Sequence, residues 1–211
     1  MGTGMRIGVL GGAFDPPHAA HAALAAAARR QLNLDLILWV PTFDPAHKGG
    51  PTASFDHRVA MVRALAGDIP ASEVSDIEAT LPRPSYTLHT LRALKEQRGS
   101  ENPDDTWYLI LGADNWSIFP RWHQPEAVLA EATLAIYPRA GFPLPDIVEP
   151  NFPAVILDFT MMPDQSTEFR EALAAPESSS ATSEREAALA RLPAPVAAYI
   201  RAHHLYEGRS T

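Results

Sequence analysis

The residues with the clearest chemical potential lie in one short segment, GGAFDPPHAAH, at residues 11–21. Its two glycines allow a tight turn and a close backbone approach to a ligand. His18 and His21 are three residues apart, so they share one face at the start of the helix that we predict to follow. A helix N-terminus attracts anions through its free N–H groups and its dipole. The segment therefore suggests a phosphate-binding turn.

Other interpretations of this segment stay open on the residues alone. The two histidines are compatible with surface positions on an ordinary helix start. A metal pair would lack a third ligand such as Cys or a nearby Glu motif. A dinucleotide fingerprint needs GxGxxG, whereas the glycines here are Gly8, Gly11 and Gly12. A GxxxxGK[ST] phosphate loop does not occur in the chain.

Short apolar runs alternate with segments of helical spacing along the chain. The predicted strands cover residues 7–10, 36–40, 107–111, 134–137 and 155–157, and the predicted helices cover 19–32, 55–65 and 86–97. This alternation predicts an α/β fold with a mainly parallel sheet and helices on both faces. Ligands of such sheets bind beyond the carboxyl ends of the strands, where residues 11–12, 41–48 and 112–114 are expected.

Length and composition favour a single domain over residues 1–211, since 46% of the 211 residues are hydrophobic and can form a substantial core. Residues 174–185, AAPESSSATSER, are rich in Ser, Ala and Glu, and we predict a mobile loop there. A C-terminal helical segment is predicted over residues 186–207.

Charge and cysteine content exclude several classes of protein and site. The net charge of −8 does not fit a nucleic-acid-binding protein, which needs a basic face. The absence of cysteine excludes disulfides and thiolate metal sites. The N-terminus lacks the apolar core of a signal peptide, and no apolar run approaches the ~20 residues of a membrane span. We expect a cytoplasmic protein without a membrane or nucleic-acid partner.

Residues 11–21 resemble the signature of the bacterial nicotinate-nucleotide adenylyltransferases, which belong to the His-x-Gly-His nucleotidyltransferases. Further blocks resemble the family's other motifs in the same order: PTFDPAHK at 41–48, SYTLHTL at 85–91, LGAD at 111–114 followed by Phe119 and Trp122, a Ser-Thr-x-x-Arg set at 166–170, and LPAPVAAYIRAHHLY at 192–206. The resemblance implies a Rossmann-like fold and an enzyme of NAD biosynthesis. Its substrates would be ATP and nicotinic acid mononucleotide, and its products deamido-NAD and pyrophosphate.

The resemblance also implies roles for individual residues. The catalytic residues would be His18, His21, Lys48 and Arg170. The residues that bind ATP would be Gly11, Gly12, Ala13, Phe14, His18, His21, Gly112, Asp114, Ser166, Thr167 and Arg170, with Ser166 and Thr167 as a helix N-cap pair. The residues that bind the mononucleotide would be Lys48, Tyr86, Thr87, Trp122 and Arg139. Trp122 would stack on the pyridine ring, and the Tyr86-Thr87 turn would donate N–H groups to its carboxylate. Mg²⁺ would accompany the ATP phosphates, with no metal site in the protein itself.

The chain departs from the family pattern at Ala19-Ala20, which replaces the usual Asn/Tyr-Gly pair before the second His, at Ala46, where a second Pro is common, and at Gln165, which replaces a Ser. The nearest alternative enzyme is phosphopantetheine adenylyltransferase, which has the same two histidines but lacks the Ser-Tyr-Thr turn and the last helix. Nicotinamide mononucleotide is the closest rival substrate, because it carries an amide in place of the carboxylate. A silent nucleotide-binding protein would have no need of all four predicted catalytic residues.

Overall fold

A parallel β-sheet forms the centre of the protein. The computed structural model describes residues 4–44, 52–99, 104–144, 154–160, 162, 165–174 and 179–207. Within these residues the strands are β1 (Arg6–Gly12), β2 (Leu36–Pro41), β3 (Ser72–Val74), β4 (Thr106–Gly112), β5 (Thr133–Tyr137) and β6 (Ala154–Ile156). They form one sheet in the order β3-β2-β1-β4-β5-β6, and every neighbouring pair is parallel. The predicted α/β, Rossmann-like fold is confirmed.

The strand order reverses direction at the centre of this sheet. β1 pairs on one side with β2, where Ile7 lies opposite Leu36, and on the other side with β4, where Ile7 lies opposite Trp107. The chain therefore leaves the carboxyl ends of β1 and β4 towards different sides and opens a crevice between them. Ligands of open α/β sheets bind at such a reversal. The glycines that end β1 and β4 lie at this crevice.

Helices cover both faces of the sheet. They are α1 (Ala19–Leu32), α2 (Phe55–Ala66), α3 (Thr87–Gln97), α4 (Ala113–Ile118), α5 (Pro125–Glu131), α6 (Ser166–Leu173), α7 (Ser179–Arg191) and α8 (Ala194–Ala202), with short 3₁₀ turns at Ile77–Thr80 and Phe119–Arg121. Side chains alternate between the two faces along each strand. On β2, Trp39 packs in one core with Phe169 and Ile200, and Leu38 packs in the other with Leu91.

The predicted mobile loop over residues 174–185 is wrong for the part that lies in α7. The C-terminal half of this helix contributes Ala188 and Leu189, which are 4% and 1% exposed, to the core. Arg185 donates hydrogen bonds from Nη1 to Leu173 O at 2.6 Å and from Nη2 to Leu205 O at 3.5 Å. Tertiary packing therefore makes this segment helical, although its serines have no strong intrinsic helix preference.

The predicted C-terminal helical segment over residues 186–207 is also interrupted. α7 ends at Arg191, and α8 begins at Ala194 with Pro195 in its first turn. Proline is tolerated there because the first N–H groups of a helix have no partner within it. α8 ends at Ala202, and the chain then turns so that Tyr206 returns to the core. Among the residues that the structure describes, no helix is long and apolar enough to cross a membrane.

Candidate active site

The turn from β1 into α1 lies at the crevice, as predicted. Gly12 O accepts a hydrogen bond from Thr42 N–H at 2.8 Å, which ties this turn to the end of β2. A Cβ on Gly12 would lie 3.2 Å from the Phe14 ring, tighter than most real contacts. A Cβ on Gly11 would meet only Val40 O at 4.0 Å. The protein itself therefore leaves room beside Gly11, and that room belongs to a cavity described below.

His18 and His21 lie together at the start of α1, with ring centroids 3.9 Å apart. His18 N–H donates a hydrogen bond to His21 Nδ1 at 3.2 Å, and His18 is only 6% exposed. Burial, followed by the nearby His18 and Arg139 side chains, holds the pKa of His21 well below its ordinary value. His21 is therefore neutral at pH 7. Since its Nδ1 accepts a hydrogen bond, its Nε2 carries the proton and can donate to an anion.

The first turn of α6 packs against the same loop. Ser166 Oγ donates a hydrogen bond to Pro16 O at 3.0 Å. Arg170 donates from Nη1 to Asp15 O at 2.7 Å and from Nη2 to Thr167 Oγ1 at 3.1 Å. Residues 166, 167 and 170 are thus brought next to the histidines.

The interpretation of Ser166 and Thr167 as an N-cap pair is wrong. Gln165 is the N-cap of α6, and Ser166 and Thr167 are its first two helical residues. Their hydroxyls contact Pro16 O and Arg170 and do not cap the helix. The first N–H groups of the helix remain available to an anion at this end.

A cavity of about 290 Å³ opens beside the glycine turn. Its wall includes Gly11, Gly112, Tyr86, Thr87 and Trp122. Tyr86 is the extended N-cap of α3, so the first N–H groups of that helix lie at the cavity. The cavity is large enough for a small ligand, and most of its accessible wall is apolar. Three of the five residues predicted to bind the mononucleotide line it.

Comparisons with known proteins identify the family of this chain. Residues 9–172 match the cytidylyltransferase-like family model. A protein of Oceanobacillus iheyensis is 34% identical over 95% of this chain and 96% of its own length, and a protein of Roseiflexus sp. is 38% identical over 95% and 97%. Both are named as probable nicotinate-nucleotide adenylyltransferases. The chain belongs to the nicotinate-nucleotide adenylyltransferase family.

A solved structure gives independent support for the fold. Nicotinic acid mononucleotide adenylyltransferase of Plasmodium falciparum, complexed with NaAD, matches with a TM-score of 0.72. The match covers 96% of this chain and 97% of that one at 20% identity. At this identity the likeness is one of fold.

Three further predicted site residues, Gly112, Asp114 and Arg139, lie close together at the end of β4. A Cβ on Gly112 would lie 2.3 Å from Asp114 Oδ1 and 3.0 Å from Arg139 Cγ, so only glycine fits there without rearrangement. Arg139 Nε lies 3.5 Å from Asp114 Oδ1. Arg139 also lowers the pKa of His21 and does not belong to the described cavity wall. Its predicted role at the mononucleotide stays a prediction.

The predicted catalytic Lys48 lies outside the described residues. Within the described part of the chain, no group of three or more His, Cys, Asp or Glu side chains is arranged to hold a metal ion.

Sequence reasoning missed the buried carboxylate of Asp15, which is 3% exposed. Its Oδ2 accepts a hydrogen bond from Thr52 N–H at 2.7 Å, and its Oδ1 accepts from Ala53 N–H at 3.0 Å and from the Tyr206 hydroxyl at 2.7 Å. Arg170 Nη1 lies 3.9 Å from Oδ2. Asp15 thus connects the loop between β1 and α1 to α6, to the segment before α2 and to the C-terminal segment. Its place within GGAFDPPH was the only available signal.

Arg58, in α2, was also missed and is 1% exposed. Its Nη1 donates hydrogen bonds to Ala13 O at 2.7 Å and to Thr42 O at 2.8 Å, and its Nη2 donates to Phe43 O at 3.5 Å. The guanidinium therefore fixes the loops that follow β1 and β2 relative to each other. The sequence carries no signal for this role, because Arg58 is an ordinary residue type for an amphipathic helix.

His123 is a third unpredicted residue at the site. It lines the cavity next to Trp122, and its ring stacks on Tyr86 with centroids 4.3 Å apart and an interplanar angle of 18°. His123 also contacts the His89 ring of α3, with centroids 5.6 Å apart, so it packs against the start of that helix.

Proposed function

We propose that this chain transfers AMP from ATP to nicotinic acid mononucleotide, giving deamido-NAD and pyrophosphate in NAD biosynthesis. One observation carries the proposal: the cavity lined by Tyr86, Thr87 and Trp122 reaches Gly11, and the turn that begins at Gly11 leads into the His18 and His21 pair. A site for a flat ring and a site for phosphates thus meet at one glycine turn. The family membership of the chain supports the same reaction.

In the proposed reaction a phosphate oxygen of the mononucleotide attacks the α-phosphorus of ATP. The bond from that phosphorus to the oxygen bridging to the β-phosphorus breaks, and pyrophosphate leaves with the electron pair. The attacking phosphate is already deprotonated, so the step needs no general base. The protein's contribution is alignment and stabilisation of the charge that develops on the leaving phosphates.

Named side chains account for that stabilisation in the proposal. The neutral His21 donates from Nε2 to a phosphate oxygen, and His18 lies against it in the same phosphate site. Arg170 reaches this site from α6 with 30% of its side chain exposed. Its guanidinium can give two parallel hydrogen bonds to a phosphate, and Lys48 would add a point charge from the loop after β2.

The proposed ring site explains the choice of the acid over the amide. Trp122 stacks on the pyridine ring, and the N–H groups at the start of α3 donate to the carboxylate. A carboxylate only accepts hydrogen bonds, whereas an amide also presents an NH₂ group that would face those donors. The arrangement therefore favours nicotinic acid mononucleotide over nicotinamide mononucleotide.

Mg²⁺ is proposed to enter the site on the ATP phosphates. Mg²⁺ commonly binds through substrate phosphates, waters and one or two carboxylates, which does not require a protein cage. Asp114 is the predicted ATP-binding carboxylate, and its buried Oδ1 has Arg139 Nε at 3.5 Å as an ion-pair partner. When bound, the metal would neutralise phosphate charge.

Pyrophosphate release tests the proposal directly. ATP is incubated with nicotinic acid mononucleotide, nicotinamide mononucleotide or phosphopantetheine, with Mg²⁺ and with a chelator. We expect the highest kcat/KM with nicotinic acid mononucleotide and no turnover in the chelator. Equal or greater turnover with phosphopantetheine would overturn the proposed function.

A further inference from the structure

The wall of the ring cavity holds one acidic side chain among its described residues, Glu78 in the 3₁₀ turn Ile77–Thr80. Glu78 is 7% exposed. Much of the surrounding wall is apolar, including Val9, Leu91 and Leu109. A charge with so little water and so much hydrocarbon around it acts over a longer distance than it would at a surface. Arg121, the described arginine in the same wall, is exposed to solvent, whereas Glu78 is buried, so water screens the charge of Glu78 less than that of Arg121.

The hydrogen bonds of Glu78 fit the ionised form of its carboxyl group. Oε2 accepts from Phe43 N–H at 2.8 Å, and Oε1 accepts from the Thr90 hydroxyl at 2.9 Å. Burial raises the pKa of Glu78 above its ordinary value, and these two donors oppose that effect. These two contacts hold the carboxyl group in place at the cavity wall.

The nearest buried cation does not cancel this charge. Arg58 is engaged by the carbonyls of Ala13 and Thr42 and does not belong to the described cavity wall. Of the two carboxylates that raise the pKa of Arg58, Asp15 acts more strongly than Glu78. Arg58 therefore compensates the charge of Glu78 only in part.

The proposed ligand carries a matching charge. In a pyridine mononucleotide the ring nitrogen is bonded to ribose, so the ring is a permanent cation at every pH. Stacking on Trp122 and donors at the start of α3 respond to the flat ring and to its substituent, respectively. We infer that Glu78 is a specificity-determining residue that supplies the counter-charge to the pyridinium ring and selects cationic rings over uncharged ones. This inference rests on the proposed function.

The test compares two substrates of nearly the same shape, nicotinic acid mononucleotide and its dihydro form, whose ring is uncharged. For each, kcat/KM with ATP is measured in the parent protein and in Glu78→Gln. Glutamine is isosteric and can keep both hydrogen bonds, because the Thr90 hydroxyl can accept as well as donate. We expect the preference for the cationic ring to fall by about tenfold or more, the effect of one charge pair at an effective dielectric constant of about 20. An unchanged preference overturns the inference.

Two further variants separate charge from positioning. Thr90→Val removes the hydroxyl bond to Oε1 and is compared at a pH alkaline enough to keep the Glu78 carboxyl group ionised, so it should change both substrates alike and leave the preference intact. Glu73→Gln makes the same chemical change on β3, where the side chain is 57% exposed and bonds to Arg98, and should leave the preference intact. If Thr90→Val reproduced the effect of Glu78→Gln, Glu78 would act only by holding the wall in place, and the inference would fail.

The ratio of the kcat/KM values for the two substrates does not depend on the fraction of active protein, so partial unfolding cannot produce the same result. If Glu78→Gln yields no folded protein, Glu78→Asp is used. Aspartate keeps the negative charge but has a shorter side chain, so one hydrogen bond of the carboxylate lengthens. We expect this variant to keep a preference for the cationic ring. Loss of that preference in a folded Glu78→Asp would contradict the inference. A parent protein that uses neither pyridine substrate would instead refute the proposed function.

Discussion

Tyr206→Phe tests the hydrogen bond between the C-terminal segment and the loop that connects β1 to α1. The Tyr206 hydroxyl donates to Asp15 Oδ1 at 2.7 Å, and the two residues are 8% and 3% exposed. A hydrogen bond to a charged group contributes about 1.5–3 kcal/mol. Two backbone N–H groups still satisfy the carboxylate in the variant, which places the cost near the lower end. A loss of about 1.5 kcal/mol lowers the Tm of a protein of this size by about 3–6 °C.

The measurement is thermal unfolding at pH 7, with Tyr199→Phe as the matched control. Tyr199→Phe also removes a hydroxyl on the C-terminal side of the protein, where it lies 3.0 Å from His57 Nδ1 in a partly buried contact. That bond is expected to contribute about 1 kcal/mol or less. In an Asp15→Asn background the cost of Tyr206→Phe should shrink, because the acceptor is no longer charged. Equal Tm shifts in Tyr206→Phe and Tyr199→Phe, or full additivity with Asp15→Asn, would refute the reasoning.

The same contact predicts a dependence of stability on alkaline pH. Burial, reinforced by Asp15, raises the pKa of Tyr206 above its ordinary value. The unfolded chain therefore loses the phenolic proton at a lower pH than the folded protein does. The stabilisation is complete below the unfolded pKa of about 10 and is lost as the pH rises above it. Tyr206→Phe should show a shallower loss of Tm between neutral pH and pH values above about 10.

Four further outcomes follow from the site. His21→Ala, and also His18→Ala, should lower kcat by roughly 10²-fold or more, as for other losses of a charge-stabilising donor, and near-normal turnover in both would contradict their role. Trp122→Ala should weaken nicotinic acid and nicotinamide mononucleotides alike, so an altered ratio of their kcat/KM values would show that stacking also reads the substituent. Gly11→Ala should leave Tm unchanged, because its Cβ meets only a carbonyl at 4.0 Å, while KM rises; an unchanged KM would mean that no ligand approaches this glycine. Arg185→Ala should lower Tm by the loss of its bonds to two carbonyls, with kcat retained in the folded protein, and an unchanged Tm would restore the loop interpretation.

The parts of the fold that follow from local pattern were predictable. Each central strand is a short apolar run, and the residues on α3 that enter the core recur at helical spacing in Leu88, Leu91 and Leu94. The edge strand β3 was not predicted, because three residues with one polar side chain exposed carry no recognisable alternation. The first part of α7, residues 179–185, was assigned to a loop because its serines have no strong helix preference, and packing of Ala188 and Leu189 in the core stabilises the helix that continues through them.

For the site, motif spacing predicted which elements would meet but not how they are held together. The turn at residues 11–12 and the start of α6 were both recognised, and the structure brings them into contact through Ser166 and Pro16. The distance of 150 residues between those two positions along the chain explains why the contact itself could not be derived. The position of Arg139 beside Asp114 depends on the path of the chain after β5, and no periodic pattern specifies that path.

Asp15 and Arg58 show why a phosphate site built from glycines needs buried charges behind it. A glycine turn leaves room for a ligand but contributes no side chain to fix its own path, and fixing each residue costs about 1–2 kcal/mol of backbone entropy. Here Arg58 donates to the carbonyls of Ala13 and Thr42. The Asp15 carboxylate accepts hydrogen bonds from the segment before α2 and from Tyr206, and it forms an ion pair with Arg170. An unpaired charge at either position would be costly to bury, so each persists only while its partners keep their places. The order of the loop after β1 is therefore coupled to the docking of α2, α6 and the C-terminal segment.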